Sequence, residues 1–331
     1  MLRWGILGTS FISHTVVKAI QKSHGSCITA VFGRDEARLK AFAEKYNITK
    51  IFTSIDDILD DADVDVFYIG LPSHLHATTV IAAAMRGKPV LSEKSLATTM
   101  GDSHAMIEAV REANTFFLEG LMYLSHPLMT KVAELVKSGE LGSICSMSGH
   151  YAANIGQKAN PLGKGTIYNL GCYPVSLVHF ISETAFGSEA FIDRQVLGAG
   201  NVVKDGVHRV QDAALSVRFS NGVLATIQST DSFGNDFAFV INGSKASMRF
   251  KTNPWLPLAG DNIIEIRQYA GETRDILVTS ELDAFDSQVR LVENCISAGL
   301  KQAPRPSPGW THSVEIMSLL TEWEDQIMNS V

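Results

Sequence analysis

The sequence predicts an α/β protein in two parts, an N-terminal doubly wound parallel sheet and a C-terminal α+β domain with a large, mainly antiparallel open sheet. Three observations lead there. Over residues 1–120, short apolar runs alternate with stretches of helical periodicity, the pattern of repeated strand–helix units joined by right-handed crossovers. From Ala213 onward the pattern changes to short alternating strands, punctuated by Ser220-Asn221-Gly222 and Asn242-Gly243, where asparagine and glycine tolerate positive φ. The chain's 331 residues are also comfortable for two domains and long for one. The expected boundary falls after residue 122, giving domains 1–122 and 123–331.

Leu2 to Leu7 reads as an apolar strand, Gly8-Thr9-Ser10 as a turn, and Phe11 to Lys22 as a helix with Phe11, Ile12, Val16, Ala19 and Ile20 at helical spacing. Strand, glycine turn and helix in that order make a phosphate cradle, because a helix N-terminus offers unpaired N–H groups and a partial positive charge. The glycine pattern is reduced to Gly8-x-Ser10-x-x-Ser13, and ordinary strand-to-helix turns look alike. The strand Cys27 to Phe32 ends in Gly33-Arg34-Asp35. An arginine there suits the 2'-phosphate of NADP(H), while Asp35 reads as N-cap of a helix from Glu36 to Tyr46. A short strand near Ile51 and a helical segment Ile55 to Leu59 precede Val64 to Leu71, an apolar run typical of a central parallel strand.

Leu71, Pro72 and His76 follow as a loop lining a cofactor. His74 and His76 raise the question of a metal, but i, i+2 spacing does not put them on one helix face, and no acid or cysteine joins them. After a helix from Ala77 to Arg86, Pro89 to Leu91 reads as a brief buried strand that ends in Glu93-Lys94. Ligands of open parallel sheets collect at the carboxyl ends of strands, which puts Lys94 at a crevice; a solvated surface pair is the plainer reading. Met100 to Asn114 is a helix and Thr115 to Glu119 a strand.

Beyond Leu128 come a helix (Met129 to Lys137), a strand (Ser143 to Ala153) and a polar loop (Asn154 to Gly165). A helix from Thr166 to Ile181 would set Asn169 and Tyr173 at i, i+4 on one face. Tyr173 then either points into the crevice or is an amphipathic boundary residue. The expected later strands are Ala213 to Phe219, Val223 to Thr230, Phe237 to Ile241, Ser247 to Phe250 and Ile263 to Tyr269, with helices at Leu282 to Ala298 and His312 to Met328. Phe237, Phe239 and Ile241 alternate so as to suit either an intersubunit face or the subunit's own core.

An apolar fraction of 45% and a charged fraction of 19% are those of a globular chain, and a net charge of -7 offers no footprint for nucleic acid. Cys27, Cys145, Cys172 and Cys295 are scattered without a CxxC pair, which reads as reduced thiols in a cytoplasmic protein with no metal site. No apolar stretch approaches the ~20 residues that span a bilayer, and the first residues run straight into a strand rather than a signal peptide.

Several ordered motifs together resemble the Gfo/Idh/MocA oxidoreductases, the group of glucose-fructose oxidoreductase and inositol dehydrogenase. They are Gly8 at the first turn, Pro72 to His76, Gly87-Lys-Pro-Val-Leu-Ser-Glu-Lys94, Glu119-Gly-Leu-Met-Tyr123 with His126-Pro127, Gly163-Lys-Gly-Thr-Ile-Tyr-Asn-Leu-Gly-Cys-Tyr173, and the final Ser307-Pro308 and Trp310-x-His312-Ser313. The family's versions run approximately EKP, EAFMYRFHP and GGGALLDLGCY. The chain departs at Ser95 for the proline after the lysine, Asn169 for the aspartate, Leu124 for an arginine and His179 for another.

The resemblance implies a Rossmann domain that holds NADP(H) in preference to NAD(H) through Gly8, Thr9, Ser10, Phe11, Ile12, Arg34, Leu71, Pro72, His76, Glu93 and Lys94. It implies a second domain for substrate binding and oligomerisation, forming a homodimer or higher homo-oligomer through its sheet. Hydride would pass to or from a small polyhydroxy or diol substrate, a sugar, cyclic polyol or dihydrodiol, contacted by Lys94, Met122, Tyr173 and His179. Lys94, Tyr173 and Asn169 are the expected catalytic set, Tyr173 handling the proton and Lys94 the alkoxide charge. A phenol titrates near ~10, and a nearby ammonium favours its phenolate. A nucleotide-binding regulator of the same fold without catalysis is the alternative.

Overall fold

The computed structural model describes residues 1–158, 160–204 and 208–330, so Ala159 of the expected polar loop lies outside the described residues. By compactness the chain divides into two units, Met1–Ser125 with Phe285–Val314, and His126–Ala284 with Glu315–Val331.

The first unit alternates strand and helix: β1 (Leu2–Leu7), α1 (Phe11–Lys22), β2 (Ser26–Phe32), α2 (Glu36–Tyr46), β3 (Lys50–Phe52), α3 (Ile55–Leu59), β4 (Val66–Ile69), α4 (His76–Met85), β5 (Val90–Glu93), α5 (Met100–Glu112) and β6 (Phe117–Gly120). The six strands pair in parallel in the order β3-β2-β1-β4-β5-β6. The order in which successive strands are added reverses between β1 and β4, and at such a switch point a crevice opens at the strands' carboxyl ends. Full burial of β4 explains its unbroken apolar sequence, whereas the equally buried β5 carries Ser92 and Glu93 at its carboxyl end. Helix starts follow local chemistry, with Ser10, Asp35, Ser54 and Thr99 each accepting a backbone N–H of the first turn.

Phe285–Val314 belongs to this first unit, whereas the sequence reading kept it with the rest of the C-terminal half. Val289, Val292, Cys295 and Ala303 join the core of Trp4, Ile6, Val31, Val66 and Leu91. Glu293 accepts hydrogen bonds from Ser23 Oγ (2.6 Å) and Ser26 Oγ (2.5 Å), Asp286 pairs with Lys22, and the Lys301 carbonyl accepts from Phe117 N at 3.2 Å.

The second unit is built on an eight-stranded sheet of β7 (Ile144–Ala153), β8 (Arg194–Lys204), β9 (His208–Phe219), β10 (Leu224–Thr230), β11 (Asn235–Gly243), β12 (Ala246–Phe250), β13 (Gly260–Gln268) and β14 (Thr273–Ser280). Its order is β14-β13-β12-β11-β7-β10-β9-β8, antiparallel throughout except for the parallel pair β7 and β10. The two edge strands, β8 and β14, were not anticipated. Gly198 and Gly200 weaken the strand signal in β8, and β14 is largely solvated, so neither shows the apolar alternation of a half-buried strand.

Helices α6 (Pro127–Lys137) and α7 (Cys172–Phe186) complete the unit's middle; α8 (Ala284–Ser297) and α9 (Trp310–Met328) follow the sheet. Phe239 and Ile241 are fully buried, and Phe239 meets Trp255 edge-on with centroids 5.9 Å apart. Those side chains therefore serve the unit's own core. Among the described residues no helix is long and apolar enough to cross a membrane.

Candidate functional site

In the first unit the turn after β1 is a cradle. Gly8 has φ +105°, and a Cβ there would approach the Gly70 carbonyl oxygen to 2.9 Å, so only glycine lets β1 and β4 close at this point. Thr9 follows, and Ser10 caps α1 by accepting from Ser13 N at 3.4 Å while its Oγ donates to the Gly70 carbonyl at 2.9 Å. Ser13 Oγ lies 3.0 Å from Ser10 Oγ, in space that a Cβ on Gly70 would occupy. The reduced glycine pattern is thus matched by a glycine on the neighbouring strand. Phe11, 63% exposed, and the half-buried Ile12 form the rim on the first turn of α1.

Arg34 is exposed at the end of β2, next to Asp35, which caps α2 by accepting from Arg38 N at 3.0 Å. Arg38 Nη2 donates to the Thr9 carbonyl at 3.3 Å. That second guanidinium was missed from the sequence, although its place one turn beyond Arg34 on the opening of a helix was a readable signal.

Leu71 and Pro72 are half-buried and lead into a 3-10 turn, Ser73–Leu75. His76 begins α4 and is 1% exposed, its Nε2 2.9 Å from the Leu71 carbonyl and its Nδ1 3.0 Å from that of Ser95. Both partners accept, so a neutral ring donates to one of them; burial lowers its pKa and favours that neutral form. His76 therefore ties the loop after β4 to the segment after Lys94. Among the described residues no group of three His, Cys, Asp or Glu side chains is placed to hold a metal ion.

Glu93 is buried at the end of β5, accepts from Tyr68 Oη at 2.9 Å, and has its pKa raised by burial against the pull of the neighbouring Lys94 charge. Lys94 is half-buried, and the Lys94–Ser95 peptide is cis. On the adjacent strand, Glu119 pairs in register with Ser92 and is 2% exposed. Ser313 and the Leu96 backbone hydrogen-bond Glu119, but its buried Oε2 has no hydrogen-bond partner among the described residues. Burial pushes its pKa up to about 7. The Lys94 charge thus acts on two buried carboxyls, of which the sequence showed Glu119 only as a strand end and the start of a motif. Met122, 2% exposed, lies in the turn Met122–Ser125.

The raised acidity constant has a measurable consequence. Because the folded value lies above the unfolded one, Glu119 favours folding below its unfolded pKa, and that contribution is lost as pH rises through about 7. Glu119→Gln should gain on the wild type by roughly 3 kcal/mol in urea unfolding between about pH 5 and about pH 9, any cost of its unmatched amide N–H being the same at both ends. A stability difference that does not change with pH would show that Glu119 is not the titrating group.

In the second unit Thr166 and a π-helical turn, Ile167–Gly171, precede α7, where a continuous α-helix was expected. The turn is entered through Gly165 (φ +92°), where a Cβ would collide with the Val210 carbonyl. It leaves through Gly171, where a Cβ would come within 2.9 Å of the Trp323 ring. π-turns recur at functional sites, and this one carries Asn169. Asn169 N donates to the Gly165 carbonyl at 3.0 Å, and Asn169 Nδ2 to Asp231 Oδ2 at 3.4 Å.

Tyr173, 6% exposed on the first turn of α7, sits among aromatic rings. Tyr151 meets it edge-on at 5.3 Å and Trp255 lies at 6.2 Å. Burial pushes the Tyr151 phenol up to about 12, beyond ready proton exchange at neutral pH. His179 is 1% exposed; its Nε2 lies 2.6 Å from Glu315 Oε2 and its ring packs on Phe191. That pairing ties His179 to α9. Tyr151, Trp255 and Asp231 went unread because they belong to β7, a loop and the end of β10, brought to Asn169 and Tyr173 only by the sheet.

Residues 2–121 match the model of the Gfo/Idh/MocA oxidoreductase family, NAD-binding Rossmann fold, and residues 129–249 match that of the Gfo/Idh/MocA C-terminal domain. The chain is 30% identical over 328 residues to D-xylose 1-dehydrogenase (NADP(+)) 2 of Haloferax volcanii, covering 96% of this chain and 94% of that protein. It is 25% identical to the trans-1,2-dihydrobenzene-1,2-diol dehydrogenase of Xenopus laevis, over 91% of each chain. The fold is that of KijD10, a 3-ketoreductase from Actinomadura kijaniata solved with NADP (TM-score 0.83, 22% identity, 98% of this chain and 97% of that one). Levoglucosan dehydrogenase, solved with NADH and levoglucosan, shares it too (TM-score 0.82, 17% identity, 100% and 98%).

Proposed function

This chain belongs to the Gfo/Idh/MocA oxidoreductase family and is an NAD(P)-dependent enzyme, and from that premise we propose that it moves hydride between NADP(H) and a carbinol or carbonyl carbon of a sugar, cyclic polyol or dihydrodiol. The observation that supports it most is the half-buried Lys94 at the carboxyl end of β5, in the same parallel sheet as the Gly8 cradle. The residues fit the cofactor: the Gly8–Ser10 turn and α1 N-terminus offer N–H groups to a pyrophosphate, and Leu71, Pro72 and His76 form the loop that would flank it. When bound, the nicotinamide supplies or accepts the hydride.

The chain's own residues then have three tasks. Lys94 places positive charge where the substrate oxygen becomes an alkoxide, in surroundings that exclude much of the water. Tyr173 delivers or removes the proton on that oxygen, and Asn169 hydrogen-bonds a substrate hydroxyl. Asn169 cannot itself take up a proton, which favours the phenol over a carboxylate relay, with the Lys94 ammonium as the other group able to donate one. Oxidation of NADPH against a panel of sugars, inososes and dihydrodiols tests the reading; no turnover of any class, in either direction, would overturn it. Two relatives, a xylose dehydrogenase and a dihydrodiol dehydrogenase, motivate the choice of panel.

The same reading assigns the 2'-phosphate of NADP(H) to Arg34, with Arg38 beside it. Wild type should show a much lower Michaelis constant for NADPH than for NADH, and Arg34→Ala should raise the NADPH value about tenfold or more while sparing NADH. Equal use of both cofactors by the wild type would remove Arg34 from this role. We place the protein in the cytoplasm on its four free cysteines. We assign a homodimer contact to the exposed face of the second unit's sheet, where Leu197 and Leu224 are solvent-facing; a monomeric mass in solution would exclude it.

A further inference from the structure

Asn169 carries no titratable group, yet the side chain it bonds does. Asp231 follows β10, is 5% exposed, and receives Asn169 Nδ2 on its Oδ2 at 3.4 Å across a sequence separation of 62 residues. The loop holds Asp231 by its backbone, because the Asp231 carbonyl accepts from Ile155 N (3.0 Å) and Gly156 N (2.7 Å). A Cβ on Gly156 would crowd that carbonyl at 3.0 Å, so glycine is what allows the approach. Asp231 also lines a small cavity with Asn160, Gly165, Arg209 and Gln211.

We propose that Asp231 is a positioning residue for the reaction described above, its carboxylate fixing the orientation of the Asn169 amide one turn before Tyr173. The reason is the asymmetry of an amide, which donates from one end and accepts at the other, set against a carboxylate, which only accepts. While Asp231 is ionised, the Asn169 NH2 must face it, and the amide oxygen is directed the other way, as an acceptor for a substrate hydroxyl. Once Asp231 takes up a proton it can donate to the amide oxygen, and the fixed orientation is lost.

The groups facing Asp231 set when that happens. Burial raises its pKa most, Asn169 and the Arg209 guanidinium on β9 pull it down, and the Asp212 carboxylate, also on β9, raises it. Asp212 is itself held by Thr230 Oγ1 at 2.6 Å, by Ser232 Oγ and by Asn201 Nδ2 at 3.3 Å. The inference rests on the oxidoreductase reading only for what is positioned; the pairing itself is independent of it.

The experiment compares wild type, Asp231→Asn, Asn169→Asp and the exchanged double variant as full-length proteins, in turnover and in urea unfolding. Asp231→Asn should lower kcat/KM by about tenfold, mainly through KM for the sugar, and abolish the acidic fall of the pH profile. Asn169→Asp puts two acids side by side and should lose activity toward higher pH, where one proton can no longer be shared. The exchanged variant restores one acid and one amide and should recover to within about threefold of wild type. The urea cycle needs no substrate: stabilities of the four proteins that add without coupling would overturn the pairing. Coupling with an unchanged kcat/KM in Asp231→Asn would leave a structural contact and overturn positioning. A wild type without turnover on any carbonyl substrate would overturn the oxidoreductase reading, and positioning with it, and the urea cycle identifies that case because it is read separately.

Discussion

Tyr173→Phe is expected to turn over at least ~100-fold more slowly than wild type, with the Michaelis constant for NADPH unchanged. The substitution removes one hydroxyl and keeps the ring that meets Tyr151 at 5.3 Å and Trp255 at 6.2 Å, so a loss of rate is a loss of chemistry rather than of packing. Tyr151 cannot substitute, since burial holds its own phenol near 12. Lys94→Ala should cost a similar factor through the alkoxide charge. The double variant should be little worse than either single one, because groups acting in one step do not contribute additively. Full activity in both single variants would eliminate this pair as the charge and proton carriers.

Trp323→Ala should destabilise the protein by about 3–5 kcal/mol in urea unfolding, at the upper end for aromatic truncations in a core. Trp323 is fully buried, its Nε1 donating to the Ala214 carbonyl at 2.9 Å. Two glycines make room for the indole: a Cβ on Gly171 or on Gly198 would come within 2.9 Å of it. Neither can grow to refill the space without moving the π-turn or β8, so the cavity stays open and the carbonyl loses its donor. Trp323→Phe should recover part of the loss through shape, though not the hydrogen bond. A cost below about 1 kcal/mol for the alanine variant would mean that the surrounding segments collapse freely.

Much of the first unit was legible because its signals are local. An unbroken apolar run such as Val66–Ile69 has few other uses, Asp35 before Glu36 is an N-cap by composition, and Gly8 marks a turn that only glycine completes. Lys94 could be placed at a strand end because β5 is short and sharply bounded. Distance in sequence hid the rest. Nothing near Asn169 announces Asp231, whose carboxyl reaches it through the pairing of β7 with β10 and β11. The π-turn depends on Gly165 and Gly171 meeting Val210 and Trp323, contacts set by tertiary packing. Glu119 was visible as a residue but not as a buried acid, since burial follows from β6 lying against β5 and not from its own neighbours.

The nucleotide-binding unit is completed by a segment that returns to it from far along the chain. Lys22, Ser23 and Ser26 have Asp286 and Glu293 as partners, and Phe117 N closes on the Lys301 carbonyl. A contiguous excision ending at Ser125 would therefore leave a raw apolar stripe where Val289, Val292 and Cys295 belong.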